Sequence, residues 1–135
     1  MALSPEMESE VRKTVDLYAQ YYHEKNLDKI LSLASKEISG FGSGPDEIVL
    51  NATRFREQVG RDMAQAGTLK VSFEVLKVDG VMPCAWVTAL CHFSAVVDGK
   101  ARSMSGRMTV VLRNTGSRWL IEQVHFSMPF APQMP

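Results

Sequence analysis

"CAWVTALCHFSAVVDGKARSMSGRMTVVLRNTGSRWLIEQVHFS" (Cys84–Ser127) decides the fold of this 135-residue chain. Its first run, Cys84–Val97, is apolar, aromatic or β-branched at nearly every position, the composition of a strand covered on both faces. "DGK" (Asp98–Lys100) turns the chain back, "ARSMSGRMTVVLR" returns, "NTGS" (Asn114–Ser117) turns again, and "RWLIEQVHFS" closes. Strands joined by such short turns run antiparallel. Upstream, "TLKVSFEVLKVDG" (Thr68–Gly80) alternates Leu69, Val71, Phe73 and Val75 with Lys70, Ser72 and Glu74. That alternation predicts a further strand with one buried face.

Before the strands come helices. Ser4, Pro5 and Glu6 supply a capping hydroxyl, a preset φ and a carboxylate at the positive end of a helix dipole. Val11, Val15, Tyr18 and Tyr22 then recur at helical spacing to about Glu24. Asn26 caps a short helix, Leu27 to Ala34, that buries Ile30, Leu31 and Leu33. "EISGFGSGPDE" (Glu37–Glu47) reads as a short strand entering a Gly/Pro loop. Asn51 caps a third helix, Ala52 to Gln65, which presents Phe55, Val59 and Met63 on one side. Helices followed by a meander predict one α+β domain over residues 1–135, with helices on one side of a bent sheet and residues 130–135 as a loose tail.

Composition narrows the function. Fifteen basic residues balance fifteen acidic ones without a basic stripe, which argues against nucleic acid as a partner and mildly favours self-association. No apolar run approaches the roughly 20 residues that span a bilayer. The acidic start "MALSPEMESE" does not read as a signal peptide. Cys84 and Cys91, seven apart on one strand, point to opposite faces and cannot bridge, so a reduced, cytoplasmic setting is expected. "GFGSGP" fails the dinucleotide fingerprint because Pro45 stands at the third glycine's place. His23, His92 and His125 show no metal spacing, and Ser127 and His125 are mere neighbours on one strand. No metal or cofactor is expected.

Taken together, "VDLYAQYYHEKNLDKILSL" (Val15–Leu33), "GFGSGPDE" (Gly40–Glu47) and "RNTGSRWLIEQVHFS" (Arg113–Ser127) resemble the nuclear transport factor 2-like superfamily. The resemblance is to its SnoaL-like members, which include the calcium/calmodulin-dependent kinase II association domain. It implies a cone: a curved, mainly antiparallel sheet wrapped around the N-terminal helix, with two further helices and a pocket at the open end. Compared with ketosteroid isomerase in that superfamily, Tyr18 takes the place of the tyrosine that steadies an oxyanion. The catalytic base would fall near Phe41 or Gly42, where no carboxylate stands; Asp46 and Glu47 lie beyond Pro45.

The hairpin register has two forms in the sequence. A four-residue "NTGS" loop pairs Arg113 with Arg118 and sets Arg107 opposite Val124; a three-residue loop with a bulge at Gly116 sets Arg107 opposite Gln123. Resemblance to the kinase association domain favours the first, with Glu122, Val124 and Phe126 facing the pocket and Arg107 its one cation. The expected ligand contacts are then Tyr18, Tyr22, Phe41, Arg107, Glu122 and Phe126. The expected homodimer face carries Trp119, Ile121, Gln123 and His125. The function expected is a non-catalytic module that binds a small apolar or amphipathic ligand or serves assembly. The alternative is a cyclase, isomerase or dehydratase acting on a hydrophobic carbonyl compound, with Tyr18, Asp46 and His125 as its candidate catalytic residues.

Overall fold

Ser4 accepts a hydrogen bond from the Met7 amide at 3.1 Å, and Pro5 follows at the first helical position, so α1 (Pro5–His23) starts where its cap dictates. The same rule sets α2 (Leu27–Ser32) behind Asn26 and α3 (Ala52–Gln65) behind Asn51, whose side chains accept from the Lys29 and Arg54 amides. The architecture is that of a computed structural model describing residues 2–129; the expected tail, 130–135, lies outside the described residues. The strands are β1 (Ala34–Phe41), β2 (Ile48–Val49), β3 (Thr68–Val81), β4 (Cys84–Val97), β5 (Lys100–Asn114) and β6 (Trp119–Ser127). They form one curved sheet in the order β2-β1-β6-β5-β4-β3, with β1 and β6 parallel and every other pair antiparallel.

The β4–β5 turn is the one the sequence announces. Asp98 (φ 52°) and Gly99 (φ 76°) form a two-residue loop between paired Val97 and Lys100, with the positive φ that a twisted hairpin needs. Where β1 crosses β6, Gly40 (φ 145°) meets the Val124 carbonyl so closely that a Cβ could not fit.

The β5–β6 register follows neither expected form. The loop is Thr115–Arg118, and Asn114 pairs with Trp119, Arg113 with Leu120 and Arg107 with Ser127. The Asn114 side chain accepts from the Gly116 amide at 2.7 Å, and Gly116 takes φ 100°. This side-chain turn carries the loop one residue further along the chain. A bulge at Glu122 then shifts the pairing between Leu112–Ile121 and Val111–Gln123. As a result Trp119 and Ile121, before the bulge, share the concave face with Val124 and Phe126 after it. Trp119 is 4% and Ile121 1% exposed, and Trp119 Nε1 donates to Glu10 of α1 at 3.2 Å. The expected dimer face of Trp119, Ile121, Gln123 and His125 is therefore divided: the first two belong to the core, and only Gln123 and His125 are exposed.

Strand β4 is also covered on one face only. Ala85, Val87, Ala89 and Cys91 are buried, whereas Trp86 is 44% exposed on the convex side. The core lies under α1 and α3 and includes Val11, Val15, Tyr18, Ile30, Ile38, Phe55, Val110 and Leu112. A 19-residue helix at 1.5 Å per residue is about 28 Å long, while strands of 14 and 15 residues reach about 46–50 Å. The sheet outruns the rod it wraps, and the surplus is open to form a cavity.

Candidate functional site

That cavity, of about 260 Å³, opens beyond the C-terminal end of α1. Its walls are Tyr22 from α1, Gly42, Ser43 and Glu47 from the β1–β2 loop, and Gln58, Asp62 and Gln65 from α3. Ala66, Leu69, Phe93, Ala95, Val97, Met104, Phe126 and Met128 complete it. The volume lies just under the range typical of ligand pockets, and an apolar wall with a few convergent polar groups is their usual make-up.

The polar centre is a pair. The Tyr22 hydroxyl donates to Asp62 Oδ2 at 2.8 Å. Burial pushes the Asp62 carboxyl above its usual value. The Tyr22 hydrogen bond works against that rise, the nearby Glu47 charge adds to it, and Arg61 offsets part of it. Tyr22 is itself pushed well up, first by burial and then by the charge of Asp62, so it stays a neutral donor. Among the described residues Asp62 Oδ1 has no protein partner, which leaves one carboxylate oxygen for a ligand. Glu47 folds back so that its Oε2 accepts from the Gly44 amide, which braces the loop at the cavity mouth.

Aromatic rings form the floor. Tyr18 is fully buried, with Tyr22, Phe55, Phe73 and Phe126 at centroid distances of 6.1, 6.4, 5.4 and 6.3 Å, mostly edge to face. Its hydroxyl is held neutral by burial. Tyr18 supports the cavity from behind and does not line it; Tyr22, one turn later, does.

Of the expected ligand contacts, Tyr22 and Phe126 line the cavity and Tyr18, Phe41, Arg107 and Glu122 do not; Glu47, beyond Pro45, lines it as well. Phe41 is 51% exposed, with its ring 5.5 Å from that of His125 on the convex face. Arg107 alternates with buried Met108, so it points outward beside Leu90 and Ser127. Glu122 sits in the bulge and accepts from Arg113 Nε at 2.7 Å, not from Arg107. The altered register accounts for both. Asp46 pairs with Arg61 on the surface at 3.5 Å.

Asp62, in the cavity wall, was the residue that sequence reasoning missed. Phe41 and Gly42 carry no carboxylate, and the one in the wall at Asp62 belongs to α3. A signal was present: at 100° per residue Asp62 falls about 20° from Phe55 on the helical wheel, inside the apolar stripe. A charged residue in a buried stripe marks a polar site. Among the described residues no group of three His, Cys, Asp or Glu side chains could hold a metal ion. Cys84 and Cys91 are both free.

Comparison with known proteins agrees with this architecture. A family model described as a SnoaL-like domain matches residues 11–131. No curated protein matches in sequence. Among solved structures, a candidate dehydratase of the nuclear transport factor 2-like family from Streptomyces avermitilis superposes with a TM-score of 0.84 at 16% identity, covering 94% of this chain and 100% of the other. A candidate aromatic ring hydroxylase from Novosphingobium aromaticivorans gives 0.85 at 17% identity, over 96% and 93%. A candidate calcium/calmodulin-dependent protein kinase II association domain from Xanthomonas campestris gives 0.73 at 17%, over 93% and 88%. Likeness at these identities establishes the fold alone.

Proposed function

From the premise that this chain belongs to the SnoaL-like domain family, with the nuclear transport factor 2-like cone as its fold, we propose that its open-end cavity binds a small, mostly apolar molecule and moves a proton on it. The family supports a ligand-binding or enzymatic domain. The observation that carries the finer reading is the Tyr22–Asp62 hydrogen bond inside an apolar pocket. A carboxylate made more basic by burial, and oriented by a neutral phenol, is a general base.

In this reading Asp62 Oδ1 takes a proton from the carbon next to a carbonyl. The C–H electron pair moves into an enolate, and its oxygen accepts a hydrogen bond from the Gln58 amide or the Ser43 hydroxyl on the cavity wall. Asp62 then returns the proton to another carbon, which is an isomerisation, or to a departing hydroxyl, which is a dehydration. Tyr22 replaces Tyr18 as the working phenol, and its role is to hold the base. Hydrogen–deuterium exchange at the α-carbons of 2-tetralone in D₂O tests the proposal. The chain should accelerate exchange and Asp62→Asn should not; equal rates for the two would defeat the catalytic reading.

A second observation supports assembly. Phe41, Leu76 and Trp86 are large apolar side chains 44–54% exposed on the sheet, more than water favours. Together with exposed Gln123 and His125 they support a homodimer through the convex face, in which Trp86 takes the part expected of Trp119. Light scattering of Trp86→Glu tests this: an unchanged mass would exclude that face. No described helix is long and apolar enough to cross a membrane, and the free thiols fit a reducing, cytoplasmic setting.

A further inference from the structure

We infer that the molecule this pocket takes is an apolar amine in its protonated form, and that Glu47 is the residue that selects its charge. The inference rests on the reading above, that the cavity is the ligand site, and adds a ligand class to it. Two carboxylates, Glu47 and Asp62, belong to the cavity wall, and no Lys, Arg or His side chain does. Around its rim stand Arg102 and Lys100 of β5, exposed and opposite the wall residues Ala95 and Val97, together with Lys25 and Arg61. Lys25 donates to the Ala66 and Gly67 carbonyls, and Arg61 is paired with Asp46 at 3.5 Å. Inside the cavity an anionic ligand would meet two like charges and no cation of the wall, in a space where water screens poorly.

A protonated amine meets the reverse. Glu47 is braced by the Gly44 amide through Oε2, which turns a flexible side chain into a fixed acceptor at the mouth. Tyr22, Phe93 and Phe126 add ring faces; the Tyr22–Phe93 and Phe93–Phe126 centroids are both 6.2 Å apart, a spacing that brings several aromatic quadrupoles to one side of the cavity. With the ammonium against Glu47, Asp62 keeps Oδ1 for the reacting hydrogen. If Glu47 served only as a loop brace, Glu47→Gln would leave the amine's advantage unchanged.

Three molecules on one bicyclic skeleton separate these cases: 2-aminotetralin, 2-tetralone and tetralin-2-carboxylate, titrated calorimetrically into the full chain. The amine should bind about tenfold more tightly than the ketone, and the carboxylate more weakly than either. Glu47→Gln retains an acceptor for the Gly44 amide and should remove most of the amine's lead. Without any substitution, rising salt should narrow that lead. Ketone binding with no preference for the amine, or carboxylate binding equal to the amine, overturns the charge inference and leaves the ligand site standing. Failure of all three to bind overturns both.

Discussion

The two ends of the concave face are built from the same strands and end up as different materials. At one end Ala85, Val87, Ala89 and Cys91 of β4 pair with Leu112, Val110, Met108 and Gly106 of β5, and the apolar ones are at most 2% exposed. At the other, Phe93, Ala95 and Val97 pair with Met104, Arg102 and Lys100 and stay half-buried. Alternation of side chains is continuous from one end to the other. What changes is the cover: α1 is about 20 Å shorter than the strands it lies on. Past its last turn an apolar residue is no longer covered by α1 and faces α3 across an open space as a cavity wall. Hydrophobicity tells which face a residue occupies, and helix reach tells whether that face is core or pocket.

The sharpest way to break this comparison is to cut equally into both ends. Leu112→Ala in the covered end should cost about 3 kcal/mol, read from the denaturant midpoint, because a buried leucine leaves a cavity that its neighbours cannot refill. Next in size is the polar centre of the open end. Asp62→Asn should slow 2-tetralone exchange about 100-fold, or roughly 2.7 kcal/mol of barrier. It should do so without loss of stability, since it removes a carboxylate that burial disfavours.

The sign of that effect can be followed with pH. Asp62 titrates higher in the folded chain than in the unfolded one, so between the two values the folded chain holds the extra proton. Stability should therefore fall as pH rises through that window, and Asp62→Asn should flatten that part of the curve. The acid limb of the exchange rate should likewise lie above the usual aspartate value.

Phe93→Ala, the counterpart of Leu112→Ala, should cost only about 1 kcal/mol while weakening 2-tetralone binding. An equal loss at Phe93 and Leu112 would erase the distinction between the ends. Smallest is the convex face. Trp86→Glu should leave monomer stability within about 0.5 kcal/mol and act on the mass measured by light scattering.

Much of the frame was legible. Ser4, Asn26 and Asn51 each cap a helix because their side chains satisfy amides that the helix cannot, a purely local matter. Asp98-Gly99 made its turn for an equally local reason. The site was less legible, because its members come from α1, the β1–β2 loop, α3 and β3 to β6 and meet only when those elements pack. Asp62 stood in view on an apolar stripe but had no visible partner until Tyr22 was brought to 2.8 Å, forty positions away in sequence. Trp119, Arg107 and Glu122 were misplaced together. One bulge at Glu122 and one side-chain turn at Asn114 reassign the first part of β6 and its pairing with β5, since a slip of one residue exchanges the two faces of a strand.

From its sequence alone this protein was bound to be helices followed by an antiparallel meander in one α+β domain, since caps, periods and turns act over a few residues and are written where they act. The cone was what its resemblance to the nuclear transport factor 2-like superfamily implied. Which oily residues wall a cavity, which acid faces a phenol and which tryptophan is left outside were decided by the assembled sheet and helices. Those outcomes depend on register and on the relative lengths of a rod and a sheet, quantities that exist only once distant segments touch.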